Sequence, residues 1–455
     1  MKRLILLSIL ALTAACGGGG GGSTGGGSGS TGGGSGSTGG GSGSTGGGSG
    51  GQMGWREIEP PNSFYGGSYY VHGVYCTAAD KCVLAANLAS DRGGGVYALG
   101  ANAWGELLVD GDYEDGTLDE LSGTLGDIGV VGFVPTRTGV LARITTSGAI
   151  VTATGDITQK SSWTAVATGT VQGGDFGLNA TVTLQSTSDT DWVFVNNNGY
   201  VYSATQAPNS STQWTRIWSP TAVPPYPLDF EAQFTADKTL CDWDITTTAQ
   251  PFPSQPFYAS KDLGVMIHPA YGLNQNTWRE LNHEEATFGD PKAGLCISTD
   301  KGRHFYFKEL PEPDTNLSSP GPFGVTCLDN DTCFAFNGTS FQQNSYIYYS
   351  TNATQGKAST WTKATLPAAF ASNNQIGISA IFFAPDKVHG WAVGNNARDP
   401  MLLRTTDSGH TWTDISGQVA SLAESDLING FALDANKIWI TGRYGFIATT
   451  DTAQQ

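Results

Sequence analysis

Charged residues are scarce in this chain. They make up 14% of its 455 residues, and 23 basic side chains face 40 acidic ones. A net charge of −17 argues against nucleic acid as a partner, because phosphates are met by clustered Lys and Arg. Acidity of this size favours a soluble monomer. No long amphipathic helical stretch is found, whereas Gly, Ser, Thr, Asn and Asp abound, so the composition points away from helical bundles and toward many short strands joined by turns. The apolar run Leu4 to Leu12, after Lys2 and Arg3, is too short for a permanent membrane span and reads as a signal peptide. Residues 17 to 51 lack every residue type except Gly, Ser and Thr. With no apolar surface to bury, such a segment is expected to be a flexible tether, with a reach of roughly 30 to 35 Å.

What is present is a repeat. An apolar strand ends in Ser/Thr-x-Asp or a worn form of it, and about seven to nine residues later an aromatic residue opens the next strand. Ser298 to Phe305 and Thr405 to Trp412 both match S/T-x-D-x-G-x-x-[W/F], with Asp300, Gly302 and Phe305 in one and Asp407, Gly409 and Trp412 in the other. Worn copies run to Trp104, Trp163, Trp214 and Trp361. Seven strand pairs can be laid over one another, beginning at Cys82, Gly139, Asp191, Leu263, Cys333, Gly390 and Ile438, but only six are followed by a closing aromatic. Gly54 to Ile58 has the form of the missing closing strand, with Trp55 as its aromatic. Repeats at this spacing are stacked units, none able to bury its own face alone. The expected fold is all-β: a seven-bladed β-propeller over residues 52 to 455, closed by an N-terminal strand so that no sheet edge is left open.

Seven cysteines imply an oxidising compartment. Cys76 and Cys82, and Cys327 and Cys333, form two C-x5-C hairpins in matching contexts, so each is expected to be a local disulfide, leaving Cys241 for Cys296. Neither hairpin offers a set of four closely spaced Cys and His ligands, so zinc is not expected. No cofactor is expected. Asp110 to Gly116 could offer calcium ligands but departs from EF-hand spacing and reads as an acidic surface loop.

The box motifs, with the blade pattern from Gly390 to Trp412, resemble the BNR/Asp-box propellers, and among them the photosystem II assembly-factor-like group. In that pattern Ser408 stands where a Gly is usual. The resemblance covers the propeller and implies a fold; function varies across such propellers. Leu12 to Cys16 resembles the bacterial lipobox. That resemblance implies a signal peptide over residues 1 to 15 and lipidation at Cys16, followed by the linker over 16 to 51. It implies an outer-membrane lipoprotein, on the cell surface or facing the periplasm, expected to be anchored to the membrane through Cys16.

The box residues are expected to be structural, holding the turn between the third and fourth strands of a blade. They also orient the ring. Turns joining strands 1–2 and 3–4 share one face, here the box face; turns joining strands 2–3 and the crossings between blades share the other, here the crossing face. The crossing face should carry Arg92, Arg143, Asn197, Arg398, Asp399, Arg443 and Tyr444, where fixed guanidinium groups suit a carboxylate or acidic partner. An insert at about 229 to 292 adds Trp278, His283 and Glu284 to the same candidate binding surface. The expected function is non-enzymatic binding of a protein or glycan. The alternative is a sialidase-like or other glycoside hydrolase, although the arginine motif near the N-terminus of sialidases is here Trp55-Arg56-Glu57-Ile58.

Overall fold

A computed structural model describes residues 54–58, 69–88, 94–99, 104–108, 130–144, 150–166, 170–171, 181–196, 200–209, 211–218, 221–222, 241, 243–244, 258–270, 294–311, 324–337, 346–371, 376–396, 399–420 and 426–450. All of them belong to one compact unit, Gln52–Gln455. They form seven antiparallel blades around a ring. Blade 1 is Tyr69–Ala78, Lys81–Leu88, Gly94–Leu99 and Trp104–Leu108; blade 2 is Val130–Pro135, Val140–Ile144, Ile150–Ala153 and Trp163–Val166. Blade 3 is Thr181–Ser188, Asp191–Asn196, Val201–Ala204 and Gln213–Trp218; blade 4 is Tyr258–Ala259, Met266–Ala270, Gly294–Ser298 and Tyr306–Glu309. Blade 5 is Gly324–Cys327, Thr332–Phe336, Ile347–Thr351 and Thr362–Lys363; blade 6 is Ile376–Phe383, Gly390–Asn396, Asp399–Thr405 and Thr413–Asp414.

Blade 7 takes its first three strands, Leu427–Ala432, Ile438–Gly442 and Ile447–Thr450, from the end of the chain and its fourth, Trp55–Glu57, from the beginning. Trp55 lies opposite Thr450 and Glu57 opposite Ala448, the Ile58 N–H donates to the Ile447 carbonyl (2.9 Å), and the Trp55 indole donates to Gln418 (3.3 Å). The predicted closure is the one present. On the inner side, the Asn429 side chain donates to the His72 carbonyl at 2.7 Å, joining blade 7 to blade 1.

The core is seven cores, one at each seam between blades. Val83 and Val96 of blade 1 pack with Val140 and Val151 of blade 2, Leu141 with Phe194, Val195 with Met266, and Ile267 with Ala335. Around the rest of the ring Phe334 packs with Ala392, Val393 with Ile440, and Trp439 with Leu84. Strand alternation sends successive side chains to the two flanking seams, so no blade is stable without both neighbours.

Two features were not legible in the repeat. The first strands of blades 1, 2, 3, 6 and 7 each slip register near their start, at Val71/Gly73, Val130/Gly132, Thr181/Thr183, Ile378/Ala380 and Leu427/Asn429. Such bulges sharpen twist, as innermost strands crowded around an axis require. Thr170–Val171 adds a parallel fifth strand outside blade 3. The first two strands of blade 4 fall within the bounds of the expected insert, at the strand pair that begins with Leu263. All three expected disulfides are present: Cys76–Cys82 and Cys327–Cys333 directly across hairpins, and Cys241–Cys296 tying the insert to the third strand of blade 4.

Candidate functional site

The box face is occupied by its own architecture. Asp300 Oδ1 accepts from Ser298 Oγ (2.9 Å) and from the backbone N–H groups of Arg303 (3.1 Å) and His304 (3.0 Å), and Oδ2 pairs with the His304 ring (2.5 Å). Asp407 repeats the pattern with Thr405 Oγ1 (2.8 Å), the Thr411 N–H (2.9 Å) and Thr411 Oγ1 (2.6 Å). Partial burial works to raise both carboxyl pKa values, but these hydrogen bonds together outweigh it and hold them below the ordinary range. Gly302 and Gly409 have φ of +79° and +84°, and each follows a non-glycine residue at positive φ, Lys301 (+63°) and Ser408 (+59°). A Cβ on Gly409 would stand 2.3 Å from the Phe334 ring of blade 5, so the glycine is needed for space as well as for conformation.

Four cations on this face are bound to the neighbouring blade. Arg137 meets Asp189 at 2.6 Å (blades 2 and 3), Lys81 meets Asp156 at 2.8 Å (1 and 2), Lys387 meets Asp329 at 2.7 Å (6 and 5), and Lys301 meets Asp191 (4 and 3). The Lys81 hydrogen bond, with those from Thr158, lowers the Asp156 carboxyl to about 2.

The crossing face is different. At blade 6 it holds a pocket of about 450 Å³ lined by Phe370, Asn396, Asp399, Pro400, Asp414, Ser416, Gly417 and Ala420. Asn396 and Asp399 face each other across the 2–3 hairpin, the former closing the second strand and the latter opening the third. Asp414 ends the fourth strand and accepts from the Ser416 N–H (2.9 Å) and hydroxyl (2.6 Å), while Ser416 Oγ accepts from the Leu402 N–H (3.0 Å). These bonds fix the crossing segment against the hairpin. Phe370, buried on the short helix Ala368–Ala371, supplies an apolar wall. The charged groups of the lining are both carboxylates, and both residues are exposed.

Among the ten residues expected to bind a partner, Asp399 lines this pocket. Arg443 and Tyr444 lie in the 2–3 turn of blade 7. Arg443 is held there by Asp426, with Nε 3.1 Å from Oδ2 and its N–H bonded to the Asp426 carbonyl, so its guanidinium is already engaged. Tyr444 has φ of +57° and is 64% exposed, the most exposed large hydrophobic side chain among the described residues. Arg143 lies in the second strand of blade 2, opposite Gly132 and Ile150. Arg92, Asn197, Trp278, His283, Glu284 and Arg398 lie outside the described residues, as do Cys16 and the acidic loop Asp110 to Gly116. Asn396, Asp414 and Ser416 were not anticipated; Asp414 and Ser416 follow the Trp412 closing strand in a segment with no motif of its own. Among the described residues no group of three His, Cys, Asp or Glu is placed to hold a metal, and no helix is long and apolar enough to cross a membrane.

No protein-family model and no curated protein matches the chain. Solved structures do. YCF48 from Cyanidioschyzon merolae superposes with a TM-score of 0.53 at 9% identity, covering 88% of this chain and 99% of that one. The GH74 xyloglucanase from Xanthomonas campestris gives 0.49 at 14% identity, over 88% of this chain and 54% of the enzyme. The extracellular domain of a putative one-component system from B. thetaiotaomicron gives 0.48 at 11%, over 89% of this chain and 40% of that one. At such identities the likeness is one of fold, and the first of these similarities carries it. The protein is a seven-bladed β-propeller.

Proposed function

We propose that this chain is a non-enzymatic binding propeller, anchored outside the cytoplasm through lipidated Cys16, which holds a protein or glycan partner on its crossing face. The observation that carries the reading is the blade 6 pocket, where an amide, a hydroxyl and two exposed carboxylates surround an apolar wall. Concave sites with a few oriented polar groups on an apolar floor are where ligands are recognised. The exposed Tyr444 on the same face suits an aromatic contact at a binding surface. By contrast, the ion pairs and turn hydrogen bonds of the box face occupy the polar groups that a partner would need.

The test is capture of partners from an extracytoplasmic extract by residues 52 to 455, repeated with Asp399→Ala, Asp414→Ala and Tyr444→Ala. Loss of a charge-assisted contact should weaken capture by about 1.5 to 3 kcal/mol. Capture that survives all three changes together would move the site elsewhere. Cys16→Ala should release the chain from the membrane fraction.

One observation favours a second reading. Two carboxylates in one pocket are the chemical equipment of a glycoside hydrolase. On that reading, purified protein releases a reporter from fluorogenic glycosides, sialosides included, and Asp399→Asn or Asp414→Asn abolishes the release.

A further inference from the structure

Trp391 and Arg404 are direct partners across the second and third strands of blade 6, so their side chains leave the sheet on the same side. Residues opposed in this way have Cβ atoms about 4.5 to 5.5 Å apart. Trp391 is fully buried, stacked on Phe382 in the seam between blades 6 and 7. Its indole N–H and the Nε–H of Arg404 are both buried, and neither has an acceptor among the described residues. Arg404 is half-buried and forms no ion pair with a described residue. Two orphaned donors side by side are unusual, since buried polar groups are almost always satisfied.

The framework does not require them. Arg404 is the residue just before the box Ser/Thr. In blade 4 that place belongs to Ile297, opposite Ile267, both fully buried. Blade 6 puts two N–H donors where blade 4 puts hydrocarbon. Blade 6 therefore carries a feature that packing would have disfavoured.

We infer that the blade 6–7 seam holds a binding site for a small carboxylate. The side-on edge of a guanidinium, Nε–H with one Nη–H, matches the two oxygens of a carboxylate. The Trp391 indole adds a third donor from within the core, and the partial exposure of Arg404 leaves a way in from solvent. The site lies toward the box face, at the ends of the strands leading to Thr405, so it is separate from the pocket at Asp399 and does not depend on what binds there.

The test uses the full chain, with the Trp391 indole N–H resonance identified by its absence in Trp391→Phe. Acetate, chloride and sulfate are titrated separately at constant ionic strength. Acetate should shift that resonance saturably, and Arg404→Met should weaken the response by about tenfold or more, as loss of a charge-assisted contact requires. No saturable response to acetate would mean that the donors are served by water, and the inference fails. An equal response to chloride or sulfate, or an undiminished one in Arg404→Met, would overturn the carboxylate assignment. If either variant does not fold, the thermal midpoint of the unaltered chain decides: a saturable rise with acetate that chloride and sulfate do not match supports the site, and its absence refutes it.

Discussion

The two faces of the ring are built from the same hairpins yet spend their polar groups differently. On the box face, carboxylates accept from their own turns, and Arg137, Lys81, Lys301 and Lys387 reach across to the next blade. On the crossing face Asp399 and Asp414 are left at the rim of a pocket, and Tyr444 projects into solvent. Polar chemistry on one side therefore joins blade to blade, while on the other it lines a pocket rim and ties crossing segments to their own blades. On the box face the reason is geometric: its turns pack against the preceding blade, as Gly409 does against Phe334.

The change expected to have the largest effect removes the closure that both faces share. Deleting residues 52 to 60 takes Trp55 from the blade 6–7 seam and bares the fully buried strand Ile447–Thr450. Because Trp55 is half-buried, the loss should fall near the lower end of the about 3 to 5 kcal/mol seen for core aromatics, with the unpaired strand edge added. Calorimetry should show a large drop in the melting temperature. Deleting residues 17 to 50 should leave that temperature unchanged, and equal effects of the two deletions would break the closure.

Next in size is a change confined to the box face. Gly409→Ala puts a Cβ against Phe334 in a left-handed backbone conformation, which should cost on the order of 1 to 3 kcal/mol. Denaturant titration would measure it, and partner capture by the folded fraction should be unaltered. A selective loss of capture would erase the distinction between the faces.

Acid should act on the box face too. Asp156, Asp300, Asp407 and Asp329 all have carboxyls depressed below their ordinary value of 3.8, Asp156 to about 2. A group depressed on folding contributes stability that is complete above the unfolded pKa and is lost as pH falls through the folded one. The melting temperature should therefore hold down to about pH 4 and decline from there toward pH 2. The Asp156→Asn variant should show a shallower decline. An identical slope would mean that the Lys81 pair does not contribute.

The smallest expected effect is on the crossing face. Asp399→Ala removes an exposed side chain and should change stability by less than about 0.5 kcal/mol, while weakening capture. Lys387→Ala, on the box face, should cost about 0.2 to 1 kcal/mol, as exposed ion pairs do, without altering capture.

Much of the fold could be read from residues alone. Ser298 to Phe305 and Thr405 to Trp412 set the repeat and the handing-over from third to fourth strand, Trp55 marked the missing closure, and the matching C-x5-C hairpins paired their own cysteines. These are local signals, each complete within a dozen residues, or copies of one signal that count themselves. Which polar groups would be consumed and which left open could not be read. Arg443 looked like a free guanidinium until Asp426, from the crossing before it in the chain, was found beside it. Asp414 and Ser416 carry no motif and join Asn396 and Asp399 only because the crossing from blade 6 folds back over the 2–3 hairpin. Trp391 and Arg404, thirteen positions apart, become neighbours only through strand register. Turn chemistry and periodicity are properties of consecutive residues and survive in the sequence. Partnership between side chains from separate strands depends on register, curvature and the seating of one blade on the next, and the tertiary structure alone decides it.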